Sequence, residues 1–213
     1  MVPRRFTFLV LGLLVGSLCT GCNLISLPVV LFAPDPTKKV PAEFAHLKGK
    51  RVLILVWAEQ ATLYEYPHVQ LETATHIRYY LKEKFKDIDI VSPTDVDRYM
   101  KGHPEWATEH PARLGRHFKA DLVMMIELME FGTREPGSPG LFRGRARARV
   151  TVYDLTSGEE QPKGIALKPA EAFYPADRPI GVLRADDRTI RAETYKEFGR
   201  VVAEKFYDHE VKL

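Results

Sequence analysis

Arg143, Arg145, Arg147 and Arg149 alternate with Gly144, Ala146 and Ala148. Side chains of an extended chain point to opposite faces in turn, so the four arginines share one face. Neighbours there stand roughly 6.5–7 Å apart, in a positive comb about 20 Å long. Guanidinium groups grip phosphate or carboxylate through paired N–H donors, so the comb can hold a polyanion or an acidic protein edge. The other reading is a solvated sheet face on which the arginines pair with acids of a neighbouring strand. Glu127 and Glu130 are the candidate acids. On the opposite face the small residues leave room for a helix to pack closely.

Histidines offer a second chemistry. His68, Glu72 and His76 stand at four-residue spacing on a predicted helix, which lines their side chains along one face and makes them the better metal candidate. With no further obvious ligand nearby, the sequence implies no metal and no cofactor. His103, His110 and His117 are spaced seven apart, but Pro104 and Pro111 forbid the continuous helix that would align them. Glu59, His68, Glu72 and His76 follow the first strand, where open α/β sheets place ligands. They would carry the chemistry if the chain were a hydrolase or another small-molecule enzyme. The motifs G-x-S-x-G, G-x-x-x-x-G-K-[ST], H-E-x-x-H and G-x-G-x-x-G are absent. This excludes no enzyme but argues for none, and the preferred reading is non-enzymatic. Gly132–Gly140 reads as a loop rich in glycine and proline, with Arg134 and Glu135 as candidate contact residues.

The elements that must position these residues follow from periodicity. Arg51–Trp57 is a continuous apolar run suited to a strand buried on both faces. Ala74, Ile77, Leu81 and Phe85 mark an amphipathic helix from Val69. Ile88, Ile90 and Val91 form a short strand, Thr94 is expected to cap a helix through Met100, and Pro111 opens another short helix through Phe118. Asp121–Phe131 reads as a central strand and Phe142–Leu155 as a long one ended by Thr156-Ser157-Gly158. A further short strand fits near Gly164–Leu167, and Asp187–Tyr207 closes the chain as a helix. The fold class is α/β, a mixed sheet of about four to five strands covered by helices, in the order β-α-β-α-α-β-β-(β)-α.

The amino terminus resembles a bacterial lipoprotein signal peptide. Arg4 and Arg5 precede an uncharged block from Phe6 to Leu18, and Cys19-Thr20-Gly21 lead to Cys22. Cys19 stands where leucine is usual. The resemblance implies a leader over residues 1–21, an acylated Cys22 that holds membrane lipid, a tether over 22–47 and one α/β domain over 48–213. An uncleaved anchor is the alternative, because no charge occurs between Arg5 and Asp35; Gly16, Thr20, Gly21, Asn23 and Pro28 interrupt that span. Removing residues 1–21 takes two arginines from 31 basic residues and none of 28 acids, leaving a net charge of +1. Binding to nucleic acid is not implied. Both cysteines, Cys19 and Cys22, lie in or beside the leader, so the folded region has no thiol for disulfide, redox or zinc chemistry.

Two stretches resemble bacterial envelope lipoproteins related to the curli-secretion protein CsgG and the amino-terminal domain of TolB. Ala120-Asp121-Leu122-Val123-Met124-Met125-Ile126 is similar to their strand entry, and Val150–Glu159 to their strand and turn. Phe118-Lys119 replaces a glycine common before Ala-Asp, and no tryptophan follows Gly158-Glu159. Thr133–Pro139 and Phe142–Arg145 also resemble uncharacterised lipoproteins of planctomycete-type bacteria. The resemblance implies a non-catalytic accessory or assembly role in the cell envelope, with an envelope protein or polymer as partner. It also allows a homo-oligomer. An oligomeric secretion pore is a further alternative, but it would need two alternating spanning strands, and Leu122–Ile126 is apolar on both faces. The location implied is the periplasmic side of a membrane; with Asn23 rather than aspartate after Cys22, the outer membrane is favoured over the inner.

Overall fold

The computed structural model describes residues 37–212 and divides the chain into two compact units. Of the described residues, Thr37 and Lys38 with residues 210–212 belong to one. Its described residues contribute to a two-stranded sheet of β1 (Thr37–Val40) and β9 (His209–Lys212), where the Thr37 hydroxyl donates to Glu210.

The other unit, Lys39–His209, is built on a mixed seven-stranded sheet covered by five helices. β2 (Arg51–Ala58) lies beside β4 (Leu122–Glu135) and β3 (Asp89–Ile90), parallel to both. β5 (Ser138–Asp154) runs antiparallel to β4. Along the far side of β5, three short antiparallel strands follow one another: β6 (Ile165–Ala166), β7 (Ala170–Tyr174) and β8 (Ile180–Gly181). The strand count exceeds the four to five expected because the proline- and glycine-rich stretch after Gly164 supplies three short strands rather than one. Their pairing is set by the long template β5 and not by their own periodicity.

α1 (Gln60–Glu65), α2 (Val69–Lys84), α3 (Pro93–Gly102), α4 (Pro111–His117) and α5 (Asp187–Glu204) complete the unit. α2 and α5 cover one face. There Ile77, Leu81, Phe198 and Val202 pack on Val52, Ile54, Met124, Ile126, Ala148 and Val150, all buried. α3 and α4 cover only part of the other face, around Leu53, Leu55 and Val123. Because β2 and the first half of β4 are buried on both faces, they read as unbroken apolar runs. α1 carries no buried residue, so no apolar stripe announces it. Ser92 rather than Thr94 occupies the N-cap position of α3, because Pro93 fits the first helical residue with its preset φ. Residues 41–47, read as tether from the sequence, bring Phe44 and Leu47 into the core. Glu43 meets the buried Lys205 at 3.0 Å.

The strand-entry residues have plain structural tasks. The Asp121 carboxylate accepts the backbone N–H of Arg51 at 2.7 Å, tying β4 to the start of β2. Asp154 accepts from both the backbone N–H and the hydroxyl of Thr156, which turns the chain after β5 and holds the Asp154 carboxyl below its ordinary range.

The stretch Gly132–Gly140, expected to be a loop, is the end of a β-hairpin. β4 continues through Glu135, β5 begins at Ser138, and Pro136-Gly137 alone connects them. Gly137 has φ +72°, which the third residue of such a turn requires and which a side chain would oppose. Across the sheet, Gly144 meets α5 so closely that a Cβ built there would overlap Thr194 Oγ1. The small side of β5 is thus the seat of α5, as its alternation suggests, and Ala146 and Ala148 are buried beside it.

Candidate functional site

The arginine comb emerges on the face that α3 and α4 leave open. Register decides what each arginine meets. Glu127 stands opposite Arg149, and their side chains pair at 2.7 Å. A bulge between Leu128 and Glu130 then adds one residue to β4, so that Glu130 and not Met129 stands opposite Arg147. Glu130 pairs with Arg145 at 3.0 Å and reaches Arg147 at 3.9 Å. Arg143 donates to the Ala176 carbonyl at 3.0 Å and lies over the Phe173 ring, 5.0 Å from its centre. From β7, Glu171 stands opposite Arg147 in register.

Four arginines therefore share this face with three glutamates, Arg143 without an acid partner among the described residues, and with Met129 (50% exposed) and Phe173 (41% exposed) among them. Of the two readings, the solvated face with paired arginines is the one found: a mixed-charge, partly apolar surface. Glu127 and Glu130, the acids picked out by spacing, are the partners found. Phe173 and Glu171 sit on a strand with no readable period and could not be found that way.

Arg134 and Glu135 do not join this face as a free loop. The Arg134 guanidinium donates to the Pro139 carbonyl at 2.7 Å and stacks over Phe142, 4.7 Å from the ring centre, so it serves the hairpin end itself. Cys22 lies outside the described residues.

His68, Glu72 and His76 come together at a second place, a cleft of about 270 Å³ between α2 and α5. Glu59 is not among its lining residues. His76 Nε2 stands 4.0 Å from Glu72, beyond hydrogen-bond reach, and its ring lies nearly parallel to Tyr195 at 6.1 Å. Burial holds the His76 imidazole below its ordinary pKa against the pull of Glu72, and burial raises that of Tyr195. Behind them, Tyr195 stacks on Phe131 at 4.8 Å. Phe131 meets Tyr66 edge-on at 4.9 Å. The Thr133 hydroxyl links Tyr66 to Asp187.

Among the described residues no three His, Cys, Asp or Glu side chains converge as a metal site. His103 and His117 flank Tyr99 at 4.1 and 4.4 Å, while His110 Nδ1 accepts the Ala112 backbone N–H at the start of α4. These three histidines thus serve local packing and capping. From α5 the cleft gains Arg188, Arg191 and Tyr195, which the sequence reading missed. Their spacing of three and four residues, one helical face, is the signal that could have found them.

No protein-family model matches this chain. No curated protein matches it significantly. Several solved structures have a related arrangement. A PelC dodecamer from Paraburkholderia phytofirmans, in a single-substitution form, is 10% identical, with 81% of this chain and 98% of that one covered and a TM-score of 0.45. Lipoprotein GNA1162 from Neisseria meningitidis is 14% identical, with 66% and 89% covered and a TM-score of 0.40. The hypothetical protein CT253 from Chlamydia trachomatis is 16% identical, with 72% and 94% covered and a TM-score of 0.39. All three fall below a TM-score of 0.5 and assign this chain no activity, partner or oligomeric state. Among the described residues no helix is long and apolar enough to cross a membrane.

Proposed function

We propose that this chain is a membrane-anchored envelope protein, held through an acylated Cys22, that acts as a non-catalytic module docking another protein on the open face of β4, β5 and β7. The observation that carries the docking face is its paired, mixed charge. Arg145, Arg147 and Arg149 pair with Glu127 and Glu130, Glu171 stands opposite Arg147 in register, and Arg143 lies over Phe173, with Met129 and Phe173 exposed. A polyanion needs uncompensated cations along its length, whereas alternating charge with apolar side chains between suits a protein surface of complementary pattern. An envelope protein therefore fits better than an envelope polymer. The anchor rests on the leader sequence: mass spectrometry of the mature amino terminus should find acylated Cys22, and intact Met1 would refute it.

A photocrosslinking residue placed at Arg147 or Phe173 in growing cells tests the docking face. A discrete protein adduct is expected there and none at Arg98, on the far helix α3. Equal crosslinking at all three positions, or none at Arg147 and Phe173, counts against the face.

A further inference from the structure

The cleft between α2 and α5 is independent of the docking face and has chemistry of its own. Its floor is the ring of Tyr195 with the imidazole of His76 beside it. At its rim stand Arg188 and Arg191, with His68 opposite on the start of α2. Glu72 is the one acid in the lining.

Among the described residues these donors make no hydrogen bond. The Arg188 guanidinium makes neither ion pair nor side-chain hydrogen bond among the described residues. Arg191 reaches Asp187 only at 3.8 Å, too far for a hydrogen bond. The Tyr195 hydroxyl likewise has no hydrogen-bond partner among the described residues, in contrast to the Tyr66 hydroxyl, which Thr133 engages. Two guanidinium groups offset the carboxylates of Glu72 and nearby Asp187, leaving no net negative charge to hold a cation, and the three-ligand set a metal would need is missing among the described residues. Fork-shaped donors on one helix face, with a hydroxyl and imidazoles within the same small cleft, match a tetrahedral oxyanion with several acceptors. The volume, about 270 Å³, suits a small group and not an extended ligand.

We propose that the cleft formed by Arg188, Arg191, Tyr195 and His76 binds a phosphoryl group, carried either by a free small molecule or by a lipid headgroup. Arg188 and Arg191 supply the charge and the paired N–H donors. Tyr195 and His76 close the floor and exclude water from one side of the bound group, which strengthens the ionic contacts.

Calorimetric titration of the full chain in a phosphate-free maltoside detergent tests this, with inorganic phosphate in one arm and short-chain phosphatidic acid in the other. At least one probe is expected to bind with a millimolar or lower dissociation constant. Binding of inorganic phosphate identifies a free ligand, and binding of phosphatidic acid alone identifies a headgroup. The double variant Arg188→Gln with Arg191→Gln should weaken that binding at least tenfold, while Arg149→Gln on the open sheet face leaves it unchanged. Arg188 is exposed and Arg191 half-buried, so the double variant retains the fold, checked by its circular dichroism. Absence of binding in both arms overturns the proposal. So does binding that survives the double variant, or that Arg149→Gln lowers equally.

Discussion

The open sheet face and the α2–α5 cleft both present arginines, yet they spend them differently. On the sheet, register hands each arginine a neighbour: Glu127 for Arg149, Glu130 for Arg145 and Arg147, and Phe173 with the Ala176 carbonyl for Arg143. In the cleft, Arg188 and Arg191 project from a helix whose nearest acid stays out of hydrogen-bond range. Strand pairing brings side chains of a neighbouring strand to within about 5 Å by construction, whereas a helix end imposes no such partner. A row of arginines on a paired strand is therefore poor evidence of a polyanion site, and two arginines at the mouth of a cleft are better evidence of an anion site.

The two regions share α5, and the largest effect should come from moving it. Gly144→Ala forces a methyl against Thr194 and should destabilise the fold by about 3 kcal/mol, measured by chemical denaturation. It should disturb both regions together; a cost under about 0.5 kcal/mol would mean α5 is not seated on β5 as described. Thr133→Val separates the regions. Thr133 is buried, and its hydroxyl joins Tyr66 behind the cleft to Asp187 on α5, so the loss should be about 1–2 kcal/mol. Crosslinking from Arg147 on the sheet face should be unaffected.

Glu130→Gln sharpens the contrast on the sheet side. Because the pairs are partly solvated, stability should fall by only about 0.5 kcal/mol. The freed Arg145 and Arg147 should nevertheless give the variant retention on a heparin column that the parent lacks. If the parent already binds as strongly, the charge pairing assigned to this face is wrong.

The smallest effect concerns pH in the cleft. Burial lowers the folded-state pKa of His76 beneath its ordinary value of 6.5, so the unfolded chain takes up that proton first. The stability involved is fully present above pH 6.5 and is lost as pH falls from there through the lower folded value. His76→Asn should remove this part of the acid sensitivity, visible as a flatter stability profile below pH 6.5; an unchanged slope would contradict the burial of His76.

Legibility from the sequence followed the physics of each segment. Arg51–Trp57 and Leu122–Ile126 announce themselves because burial on both faces demands unbroken apolar character. Alternation along Arg143–Arg149 identified both the face shared by the arginines and the seat of α5, since a period of two is local information. The hairpin end at Pro136-Gly137 was hidden, because Gly132, Arg134 and Glu135 are poor strand formers held extended only by pairing with β5. β7 and β8 were hidden because they are short segments in a proline- and glycine-rich stretch and are set by pairing with β5.

By itself, then, the sequence determined the α/β class, the strands buried on both faces, the amphipathic helices and the shared face of the four arginines. Each of these rests on periodicity between near neighbours. Only the tertiary structure decided that a bulge at Met129 turns Glu130 toward Arg147, and that Phe173 arrives from β7 beneath Arg143. It alone brought Arg188, Arg191 and Tyr195 on α5 to His68 and His76 on α2. Those meetings join residues far apart in the chain, and what brings them together is strand register and helix packing, which no local pattern encodes.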